Sequence, residues 1–312
     1  MKPIFIVLIV VGSILILLLG HLFAIYFIFL RFYKRFTLEA IDKDFDKNPK
    51  YADQKEKVYA AKKEILNKEH IEIDIISPDN LRLHGYYYDL KRKKAVIFFH
   101  GAHSDPFIIF GTQALSFLEH GYNVLIVDLR AHNKSEGKYL SYGKHETIDI
   151  KCWIKYAKEE LKLEEVVAYG TSMGGTALSL SSPELDPTFV KKMVVDCSFT
   201  SMRNLINHLI NTQHIPSFLF LGGLEFLAKH IVKAGFDDFY TPDYLKRNQI
   251  PTLFVQGTLD SVASKDFLID NYNDCASDKE LLLVEGAEHT MAFVVGGEEA
   301  FKSLYNFLEK RV

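Results

Sequence analysis

Six short, continuously apolar runs recur along the chain with room for a helix between them, and this restricts the fold more than any other feature. They are Ala95–Phe99, Val124–Val127, Val166–Tyr169, Met193–Val195, Leu253–Val255 and Leu281–Val284. A strand with one face in water alternates apolar and polar residues, whereas a strand covered on both faces is apolar throughout. Parallel neighbours need long, usually helical, crossovers, and helical spacing fills the gaps, for example over His145–Leu161 and Glu298–Lys310. The expected fold class is α/β: a mostly parallel, doubly wound sheet with helices on both sides. Ile71–Ser77 and Leu81–Leu90 alternate with period two around the turn residues Pro78-Asp79-Asn80, so an antiparallel pair is expected ahead of the parallel strands.

Two stretches do not fit that rhythm. From Ile4 to Leu30 there is no charged residue, and His21 is the one strongly polar side chain. As a helix this run is about 40 Å long, more than the roughly 30 Å hydrocarbon core of a bilayer. Residues 1–30 are therefore expected to be a single transmembrane anchor. A cleaved signal peptide is the rival reading; its apolar region is typically 7–15 residues, and no small-x-small site follows. Arg31, Lys34 and Arg35 follow the run and only Lys2 precedes it, which favours a cytoplasmic domain by the positive-inside rule. Residues 31–68 read as a helical connecting segment, and 69–312 as the folded domain.

The second stretch lies between the strand ending near Asp196 and the one starting at Thr252. Some fifty residues rich in Leu, Ile and Phe are too many for a structureless loop, so a helical cap insertion is expected at about 198–247.

The chemistry is carried by Gly170-Thr171-Ser172-Met173-Gly174. By composition alone, such a G-x-S-x-G recurs in roughly one chain in fifteen of this length, so the pentapeptide says little by itself. Its setting says more: an apolar strand precedes it and a helix start follows, the context of a nucleophile elbow. A serine hydroxyl is a weak nucleophile and needs a base. The elbow predicts the chain order serine, acid, histidine, and His289 is the only histidine after the last predicted strand. Asp260 follows Leu253–Val255 and is the preferred acid; Asp196, at the end of the preceding strand, competes with it. Asp274 and Glu288 read as surface charges. An oxyanion hole needs two backbone N–H groups, expected from Met173 and from Ala102 in the loop His100-Gly101-Ala102-His103. The His100 and His103 side chains read as structural or pocket-lining.

Taken together these residues resemble the α/β-hydrolase superfamily, and more narrowly the bacterial serine aminopeptidase S33-like and acyl-hydrolase proteins. The resemblance covers roughly residues 70–312 and rests on five motifs in order. They are His100-Gly101, the loop Asp128-Leu129-Arg130-Ala131-His132-Asn133-Lys134-Ser135-Glu136-Gly137, the elbow with Gly175, Gly257-Thr258-Leu259-Asp260, and Gly286-Ala287-Glu288-His289. It departs from the family pattern where Ala131 and Asn133 replace glycines, Gln256 a histidine and Ala263 a proline. In that loop, Arg130 and His132 read as stabilising rather than catalytic.

The expected function is a serine hydrolase cleaving carboxylic esters through an acyl-enzyme, acting on small-molecule or lipid-like esters. An S33-like aminopeptidase is the alternative; it would need an acid in the cap to hold the substrate ammonium, for which Glu225, Asp237 and Asp238 are candidates. A non-catalytic binding protein of the same fold is the second alternative. No cofactor or metal is expected. The three cysteines, Cys152, Cys197 and Cys275, form no CxxC pair. A net charge of −3 without a basic stripe gives no reason to expect a nucleic-acid partner.

Overall fold

A computed structural model of the chain describes residues 3–212, 216 and 218–310. The apolar N-terminal run forms α1 (Pro3–Tyr33), followed by α2 (Leu38–Lys47), a 3-10 turn (Pro49–Tyr51) and α3 (Lys55–Asn67). The first strands, β1 (Ile71–Ile76) and β2 (Arg82–Tyr88), pair antiparallel, Ile71 facing Tyr87 and Ile76 facing Arg82. Then strands and helices alternate: β3 (Lys94–Phe99), α4 (Pro106–Glu119), β4 (Asn123–Asp128), α5 (Glu146–Glu159), β5 (Glu165–Thr171), α6 (Met173–Ser181) and β6 (Val190–Asp196). After β6 come α7 (Met202–Thr212), α8 (Phe218–Leu227), extended by a π turn (Ala228–Val232), and α9 (Thr241–Leu245). The chain ends with β7 (Thr252–Gly257), α10 (Lys265–Asp274), β8 (Lys279–Val284) and α11 (Ala292–Glu309).

The eight strands among the described residues join one sheet in the order β1-β2-β4-β3-β5-β6-β7-β8. The β2–β4 pairing is antiparallel and every pairing from β4 to β8 is parallel. The antiparallel hairpin is thus an extension of the parallel sheet, not a separate layer.

β3 shows why the apolar runs are continuous. Ala95, Ile97 and Phe99 point into one core, with Trp153 of α5 and Leu178 of α6. Val96 and Phe98 point into the other, with Phe110 and Phe117 of α4 and Leu304 of α11. Successive side chains of a strand alternate faces, so a strand between two helical layers must be apolar at every position. The edge strand β8 is only half covered.

Two helices differ in extent from the sequence reading. The last one begins at Ala292, before the expected Glu298, and is broken at Gly297 (φ 49°). The first continues past Leu30 to Tyr33, and its final turns are buried through Ile25, Phe29 and Tyr33. Residues 31–51 are also attached along the domain surface. The Leu140 N–H donates to the Tyr33 carbonyl, the Arg35 N–H to the Lys138 carbonyl, and the Arg35 guanidinium to the carbonyls of Ser135 and Asn133. The segment read as a connector is a packed part of the molecule.

Candidate active site

Ser172 stands alone between β5 and α6, with φ 53° and ψ −118°. A left-handed φ is costly for a residue with a Cβ, and the surroundings hold it there. Its N–H donates to the Asp196 carbonyl at 2.8 Å. A Cβ on Gly170 would overlap the Gly174 carbonyl, and one on Gly174 would overlap the carbonyl of Phe99. The glycines of the pentapeptide are therefore demanded by the close approach of β5, α6 and β3.

His289 lies in the loop between β8 and α11, and Asp260 in the turn after β7. Three sheet positions thus deliver their side chains to one edge. The Ser172 Oγ is 3.0 Å from His289 Nε2, and His289 Nδ1 is 2.8 Å from Asp260 Oδ2. Because a carboxylate only accepts, the Asp260 contact assigns the imidazole proton to Nδ1 and leaves Nε2 as acceptor toward the serine hydroxyl. Burial of His289 opposes its protonation, but the adjacent Asp260 carboxylate outweighs this, and the net displacement is upward from the ordinary imidazole value.

Asp260 is itself fixed. Its Oδ1 accepts the N–H groups of Val262 and Ala263, each at 2.9 Å, and Gln256 Nε2 donates to the Ala263 carbonyl. The two positions that depart from the family pattern, Gln256 and Ala263, thus tie down the turn that aims the acid. The competitor Asp196 is placed differently: its carboxylate accepts the Tyr169 hydroxyl at 3.1 Å, and burial pushes it up to about 7. Asp274 pairs with Lys246, and Glu288 lies 3.7 Å from Lys50 in the 3-10 turn.

The loop after β3 passes over the serine, since a Cβ at Gly101 would sit 3.1 Å from the Ser172 Cβ. Met173 opens α6, so its N–H is among those with no intrahelical acceptor. Two neutral imidazoles hold the loop. His100 donates from Nδ1 to the Gly101 carbonyl at 2.7 Å and accepts the Leu129 N–H at 3.0 Å. His132 donates from Nδ1 to the Arg130 carbonyl at 2.9 Å and accepts the His103 N–H at 3.0 Å. Burial pushes His100 down to about 4 and His132 well below its ordinary value. His103 in turn donates from Nε2 to the carbonyl of Phe32, near the end of α1, at 2.7 Å.

The 128–137 loop keeps the backbone that glycines would serve. Ala131 and Asn133 both have positive φ (59° and 40°), and the Asn133 amide donates to Asp128 at 2.8 Å. Arg130 binds Asp149 and Asp79.

A cleft of about 400 Å³ opens over Ser172, His289 and Ala102. Its apolar lining comes from Phe32, Ile41 and Phe45 ahead of β1 and from Ile109, Leu205 and Val262 of the domain. The residues before β1 are the ones sequence reasoning missed. Their signal was the amphipathic spacing of Ile41 and Phe45, which shows that α2 is covered but not by what. The three acids considered for an amine site are paired elsewhere: Glu225 and Asp237 with Arg203, and Asp238 with Lys144.

Among the described residues, one group of three potential metal ligands lies close together: Cys197, Asp260 and His289, with ligand atoms within 4.8 Å. The histidine nitrogens already face Ser172 and Asp260, and burial pushes the Cys197 thiol up, toward its protonated form. A protonated thiol is a poor ligand, so this donor set does not fit an ion well.

Residues 94–212 match the sequence profile described as the alpha/beta hydrolase fold. A Bacillus subtilis (strain 168) protein, the uncharacterized YqkD, is 24% identical over 197 residues; the match covers 62% of this chain and 64% of that one, less than two thirds of its length. The Pyrococcus furiosus esterase Pf2001 superposes with a TM-score of 0.65 at 24% identity, over 79% of this chain and 94% of its own. The Exiguobacterium antarcticum esterase EaEST does so with a TM-score of 0.57 at 20% identity, over 77% and 100%. Sheet order, elbow and profile agree: the chain is an α/β-hydrolase-fold protein carrying one long apolar N-terminal helix.

Proposed function

We propose that the protein is a serine esterase in which Ser172 is the nucleophile, His289 its general base and Asp260 the acid that orients the imidazole. The observation that carries this reading is the continuous pair of hydrogen bonds from Ser172 Oγ through His289 to Asp260, at 3.0 and 2.8 Å, on a serine held at positive φ. In the first step Oγ attacks the ester carbonyl as its proton passes to His289 Nε2, and the Ala102 and Met173 N–H groups receive the oxyanion. Collapse expels the alcohol, which takes the proton from His289. Water, activated by the same imidazole, then releases the acid and restores the serine.

The apolar wall built by Phe32, Ile41, Phe45, Ile109, Leu205 and Val262 favours esters with an apolar acyl group. The aminopeptidase alternative loses support from the pairing of Glu225, Asp237 and Asp238 with cations. We also read α1 as a membrane anchor with the domain on the cytoplasmic side, supported by its length, its exposed apolar surface and the Arg31, Lys34 and Arg35 flank.

The test is labelling with a fluorophosphonate probe together with hydrolysis of nitrophenyl esters. Wild type is expected to label and turn over, and Ser172→Ala and His289→Ala to lose about 10⁴-fold or more in kcat. A folded wild type that neither labels nor hydrolyses any ester would refute the reading.

A further inference from the structure

The cap helix α8 has the sequence Phe-Leu-Phe-Leu-Gly-Gly-Leu-Glu-Phe-Leu, and only one of its side chains, Leu224, is fully buried. Phe218 is 78% exposed, Phe226 59% and Leu219 44%. An aromatic face of this kind on an outer helix needs a partner.

Its position relative to α1 identifies one. The Phe220 ring lies 5.4 Å from the His21 ring, and a Cβ at Gly223 would touch Ile25 at 2.7 Å. Three residues of α8 therefore advance beside four of α1, so the two helices run side by side in the same direction. The first buried residue of α1 is Ile25, and the stretch ahead of it is apolar and exposed. From Pro3 to Ala24 that stretch measures about 33 Å, close to the roughly 30 Å hydrocarbon thickness of a bilayer. When α1 spans a bilayer, His21 lies just inside the exit boundary, and whatever touches His21 and Ile25 lies at the same depth.

Charge follows the same gradient. α8 has no charged residue before Glu225, which is paired with Arg203 and Lys229. Exposed Lys229, His230 and Lys233 come next in the chain, as Arg31, Lys34 and Arg35 follow the apolar part of α1. Apolar and aromatic side chains followed along the axis by basic ones are the pattern of a helix whose first turns enter the bilayer boundary and whose end meets the headgroups.

We propose that α8 is a second membrane-contacting element, its N-terminal end seated in the lipid interface beside α1, with Phe218 and Leu219 facing the acyl chains and Phe226 in the headgroup layer. The bilayer is the occupant because the exposed face of α8 continues that of α1 at a matched depth. It rests on the reading of α1 as an anchor. Its consequence is positional: Arg31 and Phe32, about two turns beyond the exit point, already line the cleft over Ser172, so an ester can reach the site from the lipid surface without crossing bulk water.

The test uses the full chain reconstituted in phosphatidylcholine–phosphatidylglycerol vesicles. The native Trp153 is buried in the core and is the background emitter. Phe218→Trp and Leu219→Trp each add a reporter at an exposed site, so that one variant remains if the other does not fold. With lipids brominated at a shallow acyl position, the added emission is expected to fall by at least about half, and to resist quenching by aqueous iodide. Added emission that iodide quenches and bromolipid does not would overturn the proposal. So would emission that neither quenches, which marks a contact with a second copy of the chain. Flotation of wild type with vesicles after an alkaline wash tests α1 separately. Protein that fails to float refutes the anchor; protein that floats with solvated tryptophans refutes only the role of α8.

Discussion

At the scale of single residues, the electrostatics of the site separate two buried carboxylates a few strand positions apart. Asp260 faces the imidazole and accepts two backbone N–H groups, whereas Asp196 faces Tyr169 and is pushed up to about 7. Asp260→Asn is expected to lower kcat by about 10²- to 10⁴-fold, because an amide can donate to Nδ1 and stabilise the wrong tautomer. Asp196→Asn, an isosteric change of a carboxyl pushed up to about 7 and facing Tyr169 instead of the imidazole, should cost less than about tenfold at neutral pH. Equal losses in the two variants would return Asp196 to contention. The proposed base, His289, must be neutral to work, and Asp260 raises its pKa, so wild-type kcat/KM is expected to fall at acid pH with a midpoint above the ordinary imidazole value of about 6.5. In Asp260→Asn the residual activity should show that midpoint moved downward. The sign is opposite for stability: the Asp260–His289 attraction is fully present below about pH 6.5 and is lost as pH rises through the raised folded value.

Among the elements, the strand-to-helix elbow and α2 have contrasting roles. The elbow is rigid because β5, α6 and β3 leave no room between Gly174 and the Phe99 carbonyl. Gly174→Ala is expected to destabilise the fold by about 3 kcal/mol or more, since backbone must move to admit the methyl group; a denaturant melt within 1 kcal/mol of wild type would contradict the packing argument. α2 instead offers side chains to the cleft, where Ile41 and Phe45 join Ile109 and Leu205 in the lining. Ile41→Trp should shorten the acyl subsite and reduce the ratio of kcat/KM for octanoyl over acetyl esters by about tenfold. An unchanged ratio in a variant that still takes the fluorophosphonate label would exclude α2 as a specificity wall.

Across the whole molecule, α1, the oxyanion-side loop and the 128–142 loop form one hydrogen-bonded unit through Phe32, His103, His132 and His100. Burial favours the neutral form of all three imidazoles, with His100 and His103 pushed down to about 4 and His132 well below its ordinary value. The unfolded chain protonates near pH 6.5, so it binds more protons than the folded chain between there and about pH 4. Stability is therefore expected to be fully present above about pH 6.5 and to decline steadily toward pH 4, read as a falling Tm in acid. A flat profile over that interval would mean that the imidazoles are not neutral. How much of this was legible in the sequence follows from the range of each interaction. The parallel strands, the elbow and the order of Ser172, Asp260 and His289 are written locally, because burial on both faces makes a strand apolar throughout and a tight turn demands glycine. What covers the site was not. The spacing of Ile41 and Phe45 says that α2 has a buried face, but a hydrophobic stripe is non-directional and names no partner. Only the tertiary structure decided that residues 31–51 fold back over Ser172, that α8 lies along α1, and that buried His100 and His132 with half-buried His103 secure the loop, since each depends on contacts between segments far apart in the chain.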